Sequence, residues 1–227
     1  PMEWCSFQQK KEAKKNQAYP LDDRSATQIL TIERPTEEEV RDSYTYYPHT
    51  SSVPEAVAVN VRGKSFKIIS SVTIKDVNAS GVIFAHGSRF GGHSLFIKDH
   101  KLYYVYNFLG IAQQQLVSPT PITPGKYSFG MEFNKERTGE HGESIGTMQL
   151  YVNGKPVAKG PMKAQVGKFT LVGDGLCVGY DSGDPVSKLY KSPGEFKGGT
   201  IAFVTVNTGK ETYNDLSKEA ARAFGAE

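Results

Sequence analysis

Residues 81–110 read GVIFAHGSRFGGHSLFIKDHKLYYVYNFLG. Three short apolar runs are cut by two turns. One turn is rich in glycine (Gly87, Gly91, Gly92) and the other is charged (Lys98-Asp99-His100-Lys101). Between Leu102 and Phe108 the side chains alternate. Leu102, Tyr104, Tyr106 and Phe108 fall on one face, and Tyr103, Val105 and Asn107 on the other. A period of two with aromatic and β-branched enrichment specifies strands, and the charged tetrad joins two of them as a hairpin turn.

The same texture extends outward in both directions. Ser65 to Ile74 places Phe66, Ile68, Ser70, Val72 and Ile74 on one face. Gly110 to Val117 continues the pattern and ends at the proline-rich connector Ser118 to Gly125. Tyr127, Phe129, Met131 and Phe133 share a face, and residues 134–146 read as a polar loop tip. Thr147 to Val152 and Lys155 to Lys159 flank Asn153-Gly154, a hairpin signal because both central residues need φ > 0. Phe169 to Val172, Leu176 to Tyr180 and Thr200 to Val206 complete the set. About ten to twelve short strands with no helical runs between them predict an all-β fold, an antiparallel two-sheet sandwich of jelly-roll type.

The flanks have a different character. Residues 9–18 favour helix but are polar nearly all round. Thr36 and Glu39 have capping-box spacing. Tyr44 to Val59 reads as a loop whose tyrosines (Tyr44, Tyr46, Tyr47) lie along the β domain. After Thr208 the period switches: Leu216, Ala220 and Phe224 predict a short helix, with Asn214 or Asp215 as its N-cap. The expected organisation is an N-terminal extension and linker (1–60), a sandwich (61–208) and a C-terminal helix (209–227).

The chain has 227 residues, 38% hydrophobic and 22% charged, enough to bury a substantial core. The net charge of +3 is small, and no basic stripe is interleaved with aromatics, which argues against a nucleic-acid partner. No apolar run approaches the roughly 18 residues of a membrane-spanning helix. Lys10, Lys11, Lys14 and Lys15 are not followed by the apolar stretch of a secretory signal. Cys5 and Cys177 read as free thiols, Cys177 as a small core residue in Leu176-Cys177-Val178.

Reaction chemistry is hard to find. None of the histidines (His49, His86, His93, His100, His141) has a zinc-motif spacing. His86 and His93 flank a turn and either meet across a hairpin or are polar residues near a strand end. Glu132 and Glu136 do not share a strand face as glycosidase carboxylates do. Neither a nucleophile elbow nor a phosphate-binding glycine loop is present. Asp174, Asp181 and Asp184 supply hard oxygens that suit Ca²⁺, or else serve as Asx turns. Arg89, His93, Tyr103 and Asn107 are candidates for a sugar-binding patch, although a packed core or a domain interface explains the tyrosines equally well.

The stretch from Gly87 to Gly110 resembles the strand-rich C-terminal region of a group of bacterial arylsulfatases, whose phrase runs close to G-G-R-F-G-G-x-S-L-Y-x-K-D-G-x-L-x-Y-x-Y-N-x-L-G. The resemblance extends to Leu21-Asp22-Asp23-Arg24, Tyr46-Tyr47-Pro48, Val53-Pro54-Glu55, Tyr151-Val152-Asn153-Gly154, Val178 to Gly183 with Pro185-Val186-Ser187, and Gly199-Thr200-Ile201. It implies a bacterial, soluble, cytoplasmic or periplasmic protein with a concanavalin A-like sandwich. The parent activity would be sulfuric ester hydrolysis. The formylglycine signature C/S-x-P/A-x-R follows neither cysteine, and the family's metal-binding aspartates have no counterpart. The resemblance therefore implies a non-catalytic accessory domain that packs against a sulfatase catalytic α/β domain or supports a homo-oligomer. Such a domain would expose an apolar docking face, with Tyr44 to Tyr47 as part of it. The alternatives are a lectin-like carbohydrate-binding module, with Ca²⁺ in the 174–184 loop as an option, and a hydrolase in its own right.

Overall fold

The computed structural model describes residues 42–169 and 174–209, together with Lys11, Lys14 and Lys15, which are helical and exposed. The Thr36 capping box, most of the expected strand Phe169 to Val172, and the helix after Thr208 lie outside the described residues. The chain divides into one unit of Pro1–Val40 and another of Arg41–Glu227.

The second unit holds the strands. They are β1 (Ser43–Tyr46), β2 (Val53–Pro54), β3 (Phe66–Ile74), β4 (Gly81–Ser88), β5 (Gly91–Lys98), β6 (Lys101–Phe108), β7 (Ala112–Val117), β8 (Gly125–Thr138), β9 (Ser144–Val152), β10 (Lys155–Ala164), β11 (Gly175–Val178) and β12 (Gly199–Asn207). They form two six-stranded sheets, ordered β1-β12-β3-β8-β9-β10 and β2-β11-β4-β5-β6-β7. Every pairing is antiparallel, so the fold is the two-sheet sandwich that the alternation predicts.

Turn chemistry sets two of the registers. Asn153 (φ 50) and Gly154 (φ 74) both take the left-handed conformation. The Asn153 carboxamide also accepts the Ser128 N–H at 2.9 Å, which ties the hairpin to β8. The β5–β6 turn uses Asp99 (φ 48) and His100 (φ 59), without glycine. An aspartate tolerates this region better than most residues because its short side chain bonds locally.

Two elements depart from the sequence reading. Residues 134–146 are a long hairpin rather than a loop tip, because β8 runs to Thr138 and β9 starts at Ser144. Both faces of that extension are polar, so no alternation marks it. The Tyr44–Val59 segment contributes β1 and β2 to the sheets, so the sandwich begins inside the expected 1–60 extension. Tyr44 and Tyr46 pack against the core, and the Tyr46 hydroxyl accepts the Val59 N–H at 3.0 Å. This pair is therefore not an exposed docking face.

The main core lies between the sheets and includes Phe66, Ile68, Leu95, Tyr104, Phe129 and Leu150, all buried. Burying each large side chain contributes roughly 1.5–3 kcal/mol. A second, smaller core sits on the opposite face of the β4–β6 sheet, where Val82, Ala85, Phe96 and Val105 meet Val186, Leu189 and Tyr190. β5 is thus buried on both faces, in keeping with the unbroken apolar run Leu95-Phe96-Ile97.

His86 and His93 are cross-strand partners on the inward face of β4 and β5, with ring centroids 5.8 Å apart. They pack edge-on against Phe66, Phe84 and Phe169. The Tyr104 hydroxyl lies 3.1 Å from His93 Nδ1. Neither nitrogen of His86, nor His93 Nε2, has a hydrogen-bond partner among the described residues. Burial pushes the His86 imidazole down to about 3, with Arg62 adding to the effect. Burial also holds His93 well below its ordinary value, and His86 adds to it.

In the unfolded chain these rings titrate near 6.5. Between that value and their folded values only the unfolded state takes up protons. The stability they permit is therefore complete above about pH 6.5 and falls as pH drops, by roughly 1.4 kcal/mol per unit for each ring. His86→Leu is expected to halve this acid slope. Urea midpoints measured between pH 7.5 and 4.5 check it, and an unchanged slope would count against the buried neutral pair.

Candidate functional site

The residues from Asp181 to Pro193 form a strap that crosses the outer face of β4–β6. Its ends are drawn together at Asp181. The Asp181 N–H donates to the Pro193 carbonyl at 2.7 Å, and the Ser192 hydroxyl donates to the Asp181 carbonyl at 3.0 Å. Inside the strap, Asp181 Oδ2 accepts the Val186 N–H at 2.9 Å and the Tyr190 hydroxyl at 2.5 Å. Tyr190 Oη also lies 2.9 Å from Ser94 Oγ on β5, and its ring sits edge-on to Phe96.

Asn107 fastens the strap's leading half. Its amide nitrogen donates to the carbonyls of Arg89 and Val186, each at 3.0 Å, with the Ser88 carbonyl at 3.3 Å. Its oxygen accepts the Gly110 N–H at 3.1 Å. Gln113 on β7 reinforces the grip through the Ser187 hydroxyl at 3.2 Å. Arg89 bridges to Asp184 at 3.1 Å, and its guanidinium lies 4.8 Å from the Phe90 ring centroid.

The proposed sugar patch does not assemble. His93 points into the core, whereas Tyr103 and Asn107 occupy the opposite face of the sheet. Asn107 is buried and engaged by backbone carbonyls, and Arg89 is ion-paired. Tyr103 alone keeps a partly exposed ring, stacked on Phe96 at 5.2 Å with an interplanar angle of 9°.

The calcium reading fares no better. Asp181 is held inside the strap, and Asp184 pairs with Arg89. Asp174 lies against Gly183, where an added Cβ would collide with its carboxylate. Among the described residues, no three His, Cys, Asp or Glu side chains are grouped so that they hold a metal ion.

What the sequence reading missed is a groove of about 440 Å³ between the strap's trailing half and the β4–β5 edge. Half-buried Leu189 and Tyr190 give it apolar surface over the buried Phe96 and Ile97, and Lys98, Lys191, Lys197 and Glu195 contribute charge. The strap approaches β4 closely because Gly81 (φ 113) has no side chain; a Cβ there would lie 2.2 Å from the Glu195 carbonyl oxygen. Val82 N–H donates to the Gly194 carbonyl at 2.8 Å. Lys98 Nζ donates to the Leu189 carbonyl at 2.9 Å. The signal in the sequence was Leu189-Tyr190, an apolar pair inside an otherwise polar loop.

Burial pushes the Asp181 carboxyl up to about 6, against the opposing hydrogen bonds of Tyr190 and Val186. A raised carboxyl favours the folded state below its unfolded value near 3.9, and that advantage is lost as pH rises through about 6. Asp181→Asn is accordingly expected to gain stability relative to the parent, by about 1–3 kcal/mol, between pH 4.5 and 7.5. Thermal melts at the two pH values measure the difference, and a constant offset would refute it.

Asn107→Leu removes the donor from the Arg89 carbonyl and the acceptor from the Gly110 N–H, and leaves the buried Val186 carbonyl only the 3.4 Å contact with Gln113. A loss of about 2–4 kcal/mol is expected, with cleavage by a protease inside 181–193 well before global unfolding. Limited proteolysis checks this; a strap that stays resistant would show that Asn107 does not hold it.

Neither a family model nor a curated protein matches the chain. Solved structures with a similar fold include the mouse laminin alpha1 chain, domains LG4-5. That match has 14% identity, covers 76% of this chain and 40% of that one, and gives a TM-score of 0.46. The CBM40 of the Ruminococcus gnavus IT-sialidase, bound to alpha2,3 sialyllactose, has 14% identity over 67% of this chain and 80% of that one, at a TM-score of 0.47. A heptameric SAP-like pentraxin from Limulus polyphemus has 18% identity over 80% and 83%, at 0.45. At this distance the likeness is one of β-sandwich architecture.

Proposed function

We propose that the chain is a non-catalytic accessory sandwich, the C-terminal β domain of an arylsulfatase-like protein, acting by packing against a catalytic domain. The observation that carries this reading is spatial. Two segments that resemble the arylsulfatase group, Gly87 to Gly110 and Pro185-Val186-Ser187, are far apart in sequence yet meet at one corner. The two ends of Gly87 to Gly110, Ser88-Arg89-Phe90 and Asn107 to Gly110, are joined there to Val186-Ser187 through Asn107, and Arg89 pairs with the neighbouring Asp184.

That corner also carries apolar surface. Leu109 is 47% exposed, Ile111 81% and Val166 49%. Leu109 sits at φ 53, unusual for a bulky residue, and its N–H donates to Gln165 next to Val166. Exposed apolar side chains gathered on neighbouring turns suit a docking face. This corner replaces the tyrosine segment as the place where a catalytic domain packs.

The expected result is that the chain alone does not hydrolyse an aryl sulfate but co-purifies with a catalytic domain bearing C/S-x-P/A-x-R encoded beside it. Ile111→Glu should break that association while changing stability by no more than about 0.5 kcal/mol. Turnover by the isolated chain, or no association with such a domain, would overturn the reading.

A carbohydrate-binding role is the second reading. It is favoured by Tyr103, whose partly exposed ring is stacked on Phe96 and lies outside the residues that line the strap groove. An accessory sandwich that also holds saccharide is compatible with both.

A further inference from the structure

We propose that the groove between the strap and the β4–β5 edge binds an anionic saccharide of one or two rings, carrying carboxylate or sulfate. The assignment rests on the carbohydrate-binding reading and gives it a place and a ligand class.

Size comes first. At about 440 Å³ the groove lies at the small-ligand end of the range of binding pockets, suited to one or two sugar rings rather than to a protein segment. Its walls join apolar and polar surface in the way a sugar needs. Half-buried Leu189 and Tyr190 present apolar and aromatic carbon, with Phe96 buried behind the tyrosine ring, and backbone groups of the Lys191–Gly194 turn form the opposite rim. An aromatic ring packs against the C–H face of a pyranose while polar groups outside it meet the hydroxyls.

Charge then selects among sugars. Lys98, Lys191 and Lys197 line the groove against the single carboxylate of Glu195. Lys191 and Lys197 are exposed and form no ion pair among the described residues. Lys98 uses one N–H on the Leu189 carbonyl, which leaves two donors on the same ammonium. A neutral sugar would leave three ammonium groups around one carboxylate, whereas an anionic one offsets part of that excess.

The groove is also built in advance. The Asp181–Tyr190–Ser94 chain of hydrogen bonds fixes the tyrosine wall, and the Val82–Gly194 and Lys98–Leu189 bonds fix the strap on both sides. A ligand therefore meets ordered walls and does not have to order them.

The test is titration calorimetry on the full chain with three probes: a hyaluronan tetrasaccharide (carboxylate only), a heparin tetrasaccharide (sulfate and carboxylate) and neutral cellotetraose. Backbone amide shifts locate any binding. At least one anionic probe is expected to bind, at least tenfold tighter than cellotetraose, with shifts at Ile97, Tyr190 and Gly194. Lys191→Glu with Lys197→Glu, both exposed, should weaken it at least tenfold without altering the melting temperature. Anionic binding that survives the double reversal but is lost in Tyr103→Ala overturns the groove and leaves the carbohydrate-binding reading standing. Failure of all three probes to bind overturns both. Which anionic probe binds distinguishes carboxylate from sulfate as the recognised group.

Discussion

The outer layer of this sandwich depends on the side-chain amide of Asn107. One amide group satisfies carbonyls from the β4–β5 turn and from the strap, and it accepts the N–H that closes the β6–β7 turn. The Val186 carbonyl is buried and needs a partner, while the Arg89 carbonyl and Gly110 N–H are only partly shielded from water. The hydrogen bonds themselves are of ordinary strength. Their importance lies in number, since one amide ties two turns and the strap together and its removal releases all three at once. With the strap in place, Val186, Leu189 and Tyr190 cover Phe96 and Val105, and the central sheet gains a second hydrophobic face.

The two buried ionisable centres pull stability in opposite directions as pH changes. The His86–His93 pair penalises acid, because burial keeps both rings neutral when the unfolded chain would charge them. Asp181 penalises neutral and basic conditions, because burial resists its ionisation. Two rings shifted down outweigh one carboxyl shifted up, so the net slope below about pH 6.5 follows the histidines. The compensation is spatially divided: the histidines sit in the core between the sheets, the aspartate under the strap. A pH change therefore strains different layers at different points on the scale.

The sandwich was legible because its strands alternate. The faces assigned to Leu102–Phe108 and Ser65–Ile74 are those that meet the core. What stayed hidden has a common physical origin. β1 is a short edge strand whose burial comes from pairing with β12, and four residues are too few to display a period. The β8–β9 extension is polar on both faces. The site residues were misread for a related reason. Period two correctly separates His93 from Tyr103 and Asn107, but nothing local reveals that a loop some eighty residues downstream returns to cover the polar-looking face. Asn107 looked like a surface hydrogen-bonder because its partners are backbone carbonyls, which leave no mark on a sequence.

The strap also connects the two surfaces available for recognition. Its leading half, from Asp184 to Ser187, is anchored at the corner that carries Leu109, Ile111 and Arg89. Its trailing half, from Leu189 to Gly194, is the wall of the lysine-lined groove. Asp181 lies between them in the hydrogen-bond network, holding Val186 of one half and Tyr190 of the other with a single carboxylate oxygen. The leading half thus has a short covalent and hydrogen-bonded route to the tyrosine wall. Any coupling between the two ends would be reciprocal: a ligand that favours one arrangement of the strap at the groove favours it equally at the corner.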